Sequence, residues 1–311
     1  MRRRVNPATR HLAVELARAS ALQRTQLGSA VGNEGKNAWN TKRLVDTQRM
    51  NVPLLPVDSE ETAFYFSRCC LPLGIKLQPS HKPHQIVHRA TMTLLSVGDT
   101  HCAVTCSHVY EKLVSLKTRH HEAAIVGYLM GIRNLVELKY PRLIDQDVRT
   151  LDVAILGGTS EKSLLPGKWF IDYNESILRD PKEGEPVTIV GYPAEDTEIV
   201  ENVRASFAYT HLVFPISSVS DRQIILADGS GTRRRKYYGE GVPGPMGWAG
   251  ISGSPAFVIR DSLARFVGIF KEEKSGTVII SRLGCIGSGG YLDRSLMPPD
   301  MWSGYTLPAD D

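Results

Sequence analysis

The stretch Arg89–Val109, "RATMTLLSVGDTHCAVTCSHV", holds two runs rich in Val, Thr and Leu on either side of Gly98-Asp99. A glycine-containing dipeptide between two such runs is hairpin chemistry, so the stretch predicts two antiparallel strands. The residues that follow, "SHVYEKLVS", predict a helix over Ser107–Ser115. His108 is then the only histidine at the end of a buried-looking strand and the start of a helix. Packing fixes a rotamer there, which is what a general base needs.

From about residue 60 the same texture recurs. Short apolar runs such as "EAAIVGYLMGI", "LDVAILGG", "EPVTIVGYP", "ASFAYTHLVFPI" and "RQIILADG" alternate with turn residues, and "RKYYGEG", "SPAFVI", "ARFVGIFKEE" and "GTVIISRLGCI" continue the series. Many short strands with turns between them predict an all-β sandwich or barrel arrangement. The strand count fits two six-stranded antiparallel barrels, with "SEKSLLPGKWFIDYNES" holding the connection. A second short helix is predicted over 298–303.

If His108 is a base, a nucleophile and an orienting acid should be present as well. The run "GWAGISGSPAF", Gly247–Phe257, places Ser252 on a glycine-rich turn just before a strand. In "RTLDVAILGG", Asp152 directly precedes a fully apolar strand. Burying a carboxylate there is costly unless it is paired, and a histidine Nδ1–H would pair it and fix the tautomer. Asp145 and Asp147 are rivals just upstream, in what reads as a polar loop. The order is His, Asp, Ser, separated by 44 and 100 residues.

These three boxes resemble those of trypsin-like peptidases. "VTCSHV" is similar to their Thr-Ala-Ala-His box, "LDVAIL" to their Asp-Ile-Ala-Leu-Leu strand and "GISGSP" to their Gly-Asp-Ser-Gly-Gly-Pro loop. The string "TLLSVGDTHCAVTCSHVYEKL" resembles intracellular members in particular, and the likeness covers about residues 62–290. It implies two β-barrels of the chymotrypsin type with the active site between them. His108 would be the base, Asp152 its orienter and Ser252 the nucleophile. The backbone N–H groups of Gly250 and Ser252 would form the oxyanion hole, with Gly253 and Pro255 shaping the turn. Ile251 stands where secreted digestive enzymes carry the aspartate that pairs with a new N-terminus, and Val109 where they carry a cysteine. Both departures agree with a protein that folds directly to its working form, and both leave room for a degenerate protease.

The implied pocket for the side chain before the scissile bond has Met246 at its base and Lys271, Glu272 and Glu273 along its wall. A thioether base suits apolar side chains better than Lys or Arg. The expected activity is peptide-bond hydrolysis on protein or peptide substrates, without a cofactor. The alternative is a catalytically silent fold of the same type that binds a protein partner. An esterase using the same triad is a third reading.

Composition sets the remaining bounds. At 311 residues, 42% hydrophobic and 23% charged, the chain can bury a core unaided. No apolar run is long enough to span a membrane. Five cysteines, an odd number, fit free thiols in a reducing, cytoplasmic setting. Net charge is +4, yet residues 1–50 carry ten Lys and Arg against three acids. That segment reads as a basic, flexible extension with a short helix around residues 8–24; a mitochondrial transit peptide and contact with an acidic surface are its other readings. The expected divisions are an extension over 1–55, barrels over 56–166 and 167–295, and a tail over 296–311.

Two clusters are set aside. Cys102 and Cys106 lie about 13 Å apart if both are on one strand, too far for one ion to join them with His108. His81, His84 and His88 surround a proline and read as loop residues. The basic run Arg233–Lys236 reads as one strand of a hairpin turning at "DGSG", and its tyrosines are too few to claim nucleic-acid binding.

Overall fold

The computed structural model describes residues 60–77, 85–120, 124–128, 135–136, 142–157, 168–194, 197–200, 204–207, 209–227, 233–237, 248–261, 263–274 and 276–297. The basic extension, both flanking helix expectations (8–24 and 298–303) and Met246 lie outside them.

Helix α1 (Glu60–Ser67) precedes β1 (Cys70–Leu77), β2 (Gln85–Val97) and β3 (Thr100–Cys106). Helix α2 (Ser107–Arg119) leads to β4 (Ala124–Tyr128), β5 (Leu135–Val136), β6 (Arg142–Asp147) and β7 (Val153–Gly157). After β8 (Ile171–Asp172) and the one-turn helix α3 (Tyr173–Ser176) come β9 (Pro186–Gly191), β10 (Thr197–Val200) and β11 (Arg204–Phe207). The chain continues with β12 (Tyr209–Val219), β13 (Gln223–Ala227) and β14 (Arg233–Tyr237). It ends with β15 (Pro255–Arg260), β16 (Leu263–Lys274) and β17 (Thr277–Arg282).

The hairpin forms as its sequence predicts, with Val97 opposite Thr100. Of the two turn residues only Gly98 has positive φ, +57°, which is what a turn with glycine at its first central position requires. Helix α2 runs one turn beyond Ser115. It buries Val109 and Leu113, four residues apart on one face, and places Lys117 and Arg119 in its last turn where the dipole favours cations.

The second half of the chain closes on itself. The strands pair in the order β13-β17-β16-β15-β9-β12, and β12 pairs back with β13, making a six-stranded antiparallel barrel. The first sheet has the order β5-β4-β1-β2-β3-β7-β6, with β8 pairing in parallel to β2. Among the described residues the end strands β5 and β6 do not pair with each other, so the expected second closed barrel is not completed there. A closed barrel beside a second sheet is compatible with a chymotrypsin-like fold. No described helix is long and apolar enough to cross a membrane.

Three local expectations need correction. Arg142–Asp147 is not a polar loop but β6, held in register against β7 with a bulge between Leu143 and Asp145. Arg233–Tyr237 does form a strand, but β13 and β14 do not pair with each other; both pair with β12. The run "ASFAYTHLVFPI" is two strands, β11 and β12, because β11 turns aside to pair with β10.

Alternation explains why the barrel strands are apolar on both faces. Val187, Ile189, Ala256, Val258, Val267 and Phe270 point into the barrel core. Their neighbours Val190, Phe257, Phe266 and Ile269 point outward and join the core of the first sheet. Each strand thus buries both faces, one inside the barrel and one against the first sheet.

Lys168 ties the two together. Its ammonium donates to the carbonyls of Ser67 and Cys70 and to the Tyr192 hydroxyl, at 2.9, 2.7 and 3.2 Å. Burial of that ammonium, opposed by the neighbouring Cys70 and Cys69 thiols, lowers its pKa to about 8. The unfolded chain therefore holds this proton up to the ordinary lysine range while the folded protein releases it from about pH 8. More protons on the unfolded state mean stability that rises with pH across this window. Relative to Lys168→Met, wild type should gain on the order of 3 kcal/mol between pH 8 and 10.5. Urea unfolding of both proteins across that range checks it; a flat difference would mean the ammonium is well solvated.

Candidate active site

Strands β3 and β7 pair so that Cys106 faces Val153. The residues that follow one and precede the other therefore leave the sheet side by side. Ser107 opens α2, and Asp152 stands at the top of β7. Asp152 has φ +55°, in the left-handed region where aspartate is one of the few non-glycine residues found. In this conformation its carbonyl accepts from the Ser107 N–H at 3.1 Å and its Oδ1 from the His108 N–H at 2.9 Å. One residue thus satisfies the first two donors of α2, whose own N-cap, Cys106, supplies no side-chain cap.

The other carboxylate oxygen, Oδ2, accepts from His108 Nδ1 at 2.6 Å. A carboxylate only accepts, so the proton of a neutral imidazole sits on Nδ1 and leaves Nε2 as an acceptor. The Asp152 side chain is 10% exposed while that of His108 is 52% exposed. The acid is enclosed and the base is open, which is the division of labour an orienter and a general base need.

Asp145 and Asp147 do different work. Asp145 accepts from Arg294 at 2.6 Å and from the Leu292 N–H at 3.0 Å. Asp147 Oδ1 accepts from the Thr150 and Leu151 N–H groups and shapes the turn before Asp152. Ser281 on β17 holds the Leu151 carbonyl at 2.5 Å and anchors that turn to the barrel.

Ser252 occupies the turn Trp248–Ser254 ahead of β15. Trp248 stacks on Phe270 with ring centroids 5.6 Å apart, fixing the turn to the barrel core. Ile251, Gly253 and Ser254 are buried, and Ser252 alone of these four is partly open. Gly250 and Gly253 both have φ +90°. A Cβ on Gly250 would lie 2.5 Å from Ala194 N, and one on Gly253 would overlap the Thr91 carbonyl. Only glycine fits either place.

Inside the turn the N–H groups divide into two sets. Those of Ile251, Gly253 and Ser254 bond to Trp248, Phe270 and Ile251 carbonyls. No acceptor among the described residues takes the N–H of Gly250 or Ser252. These are the two donors expected to hold an oxyanion.

A set of buried threonines that sequence reading missed attaches this turn to the first sheet. The Thr91 N–H donates to the Ser252 carbonyl at 3.0 Å and its hydroxyl to the Gly250 carbonyl at 2.8 Å. The Thr93 hydroxyl donates to the Gly253 carbonyl at 2.8 Å, and that of Thr105 to the Thr91 carbonyl at 2.9 Å. Thr91 and Thr93, two apart on β2, share one face. That spacing in "RATMTLL" was the available signal, since buried hydroxyls need partners.

The Ser252 hydroxyl donates to the Lys271 carbonyl at 3.1 Å. Lys271 sits at a β-bulge between Phe270 and Glu272, so it is left out of the β16–β17 ladder. The Cys106 thiol lies against the same carbonyl at 3.9 Å and donates to the Phe270 carbonyl at 3.3 Å. Ser252 and Cys106 thus meet at one carbonyl, and one donor atom each of Cys106, His108 and Asp152 lies within 4.8 Å of the others. Of the expected pocket wall, Glu272 pairs opposite Ile279 and is half-exposed, 3.9 Å from the Lys271 ammonium. Glu273 accepts from the Gly276 N–H at 2.7 Å and is committed to the hairpin turn.

All five cysteines are free and buried. Burial pushes the Cys106 thiol well above its ordinary range, and the Asp152 carboxylate adds to this. No protein-family model matches the chain, and no curated protein sequence matches it.

Proposed function

We propose that the protein is a serine endopeptidase of the two-barrel, chymotrypsin-like kind, cleaving peptide bonds through an acyl-enzyme. The observation that carries this reading is the His108–Asp152 pair together with a glycine-rich Ser252 turn whose Gly250 and Ser252 N–H groups meet no acceptor among the described residues. His108 takes the Ser252 proton through Nε2 as Oγ attacks the scissile carbonyl, and returns it to the leaving amine. Asp152 holds the ring and stabilises the imidazolium. The Gly250 and Ser252 N–H groups receive the oxyanion, each such donor being worth about 3 kcal/mol in the transition state.

One observation favours the second reading, a silent fold that binds a protein partner. The Ser252 hydroxyl is turned to the Lys271 carbonyl rather than to His108. Catalytic hydrogen bonds are often unformed until substrate arrives, and a rotation about one side-chain bond redirects this hydroxyl. Cleavage of a peptide library by wild type against Ser252→Ala separates the readings. The expected result is cleavage after apolar residues by wild type only. Cleavage dominated by Lys and Arg and lost on Glu272→Gln would move the pocket's charge onto its wall. Equal products from both proteins would remove Ser252 from the mechanism.

A further inference from the structure

The Cys106 thiol has no part in the proposed hydrolysis, yet it is packed against the residues that perform it. One donor atom from each of Cys106, His108 and Asp152 lies within 4.8 Å of the other two. These are a sulfur, an imidazole nitrogen and a carboxylate oxygen, the donor types that soft and borderline divalent ions select. Zinc-like ions bond sulfur at about 2.3 Å and nitrogen or oxygen at about 2.1 Å, so tetrahedral donors stand about 3.5 Å apart. Closing the triangle around an ion needs movement on the order of an ångström, within reach of the half-exposed His108 ring. The same exposed side offers an ion its way in.

We propose that Cys106, His108 and Asp152 form a three-ligand site for a soft divalent cation, with Zn²⁺ or Cd²⁺ as the fitting class, and that its occupation disables the base. The second half of this inference rests on the peptidase reading; the binding itself does not. On binding, the ion loses coordinated waters and the Cys106 S–H gives its proton to solvent, forming a metal–thiolate bond. The His108 proton passes from Nδ1 to Nε2, so the ring stays neutral while Nδ1 becomes a ligand. Asp152 exchanges its hydrogen bond to Nδ1 for a bond to the ion. With the proton on Nε2, the ring can no longer accept the Ser252 proton. Hard ions such as Mg²⁺, which demand an octahedron of oxygens, do not suit the site.

The test is titration of the full-length protein with cadmium chloride, following the ultraviolet thiolate-to-cadmium charge-transfer band. Wild type should bind one equivalent, and so should Cys102→Ala, which removes a different buried thiol. Cys106→Ser, nearly conserving volume, should lose the band, and Cys106→Ala serves equally if the serine variant does not fold. His108→Ala should bind at least roughly tenfold more weakly, since losing a ligand costs no less than losing a ligand's supporting partner. No band in folded wild type, a band surviving Cys106→Ser, or one indifferent to His108→Ala would overturn the site. Where hydrolysis is observed, Cd²⁺ should inhibit wild type and spare Cys106→Ser, and a chelator should restore activity. Inhibition independent of Cys106 would overturn the inhibitory half. Absence of hydrolysis in metal-free wild type would count against the peptidase reading, while the cadmium band would still report the site.

Discussion

Replacing Ser252 by alanine is expected to lower peptide turnover by about 10⁶, and His108→Ala by a similar factor. The double variant should be scarcely worse than either single one. Once the nucleophile is gone the base has nothing to activate, so the losses do not multiply. Neither change should disturb the fold. Ser252 is held in place through its backbone, by Thr91 and by its neighbours' bonds to Thr93 and Phe270, and among the described residues its side chain hydrogen-bonds only to Lys271. The His108 N–H that bonds Asp152 survives in alanine. Independent, multiplying losses in steady-state kinetics would argue that the two residues do not share one mechanism.

Asp152→Asn should cost roughly 10⁴ in turnover with the structure intact. The asparagine carbonyl still accepts from the His108 N–H, so the start of α2 stays capped. Its NH₂ then faces Nδ1, which must become the acceptor, and the ring proton moves to Nε2. A base carrying its proton on the wrong nitrogen cannot take one from serine. Asp145→Asn, by contrast, should leave turnover unchanged, because Asp145 is engaged by Arg294 and the Leu292 N–H. Measuring kcat for both variants decides it; a large loss with Asp145→Asn alone would mean the wrong orienter has been named.

Much of the architecture could be read because period and turn chemistry are local. Gly98-Asp99 between two apolar runs and the short apolar runs of β9, β15 and β16 need no knowledge of the rest of the chain. Asp152 was legible for a similar reason, since an acid at the mouth of a fully apolar strand must have a partner. β6 was not legible. "RLIDQD" is polar because both its acids are consumed by turns and by Arg294, contacts that lie outside the strand itself. β1, "CLPLGIKL", lacks alternation because α1, α2 and barrel strand β9 all pack against it, and its proline and glycine read as breakers. Helix α1 escaped notice although Asp58 and Ser59 precede the acidic pair Glu60-Glu61, a helix-start signal. The threonine attachments of the Ser252 turn join residues about 160 apart, and no local pattern specifies which carbonyl a buried hydroxyl will meet. Along the strand Cys106 is a ligand candidate only in a set with Cys102 and His108, and Cys102 stands too far away to share an ion. Cys106's real neighbours, His108 and Asp152, are brought to it by the start of α2 and by β7.

The central claim is that Ser252 is an activated nucleophile, and covalent labelling tests it most directly. Full-length protein treated with a fluorophosphonate should gain one adduct, located at Ser252 by peptide mass spectrometry, with labelling lost in His108→Ala. Folded wild-type protein that takes up no label at Ser252, or labels equally well without His108, would contradict the account and leave a fold that binds rather than cuts.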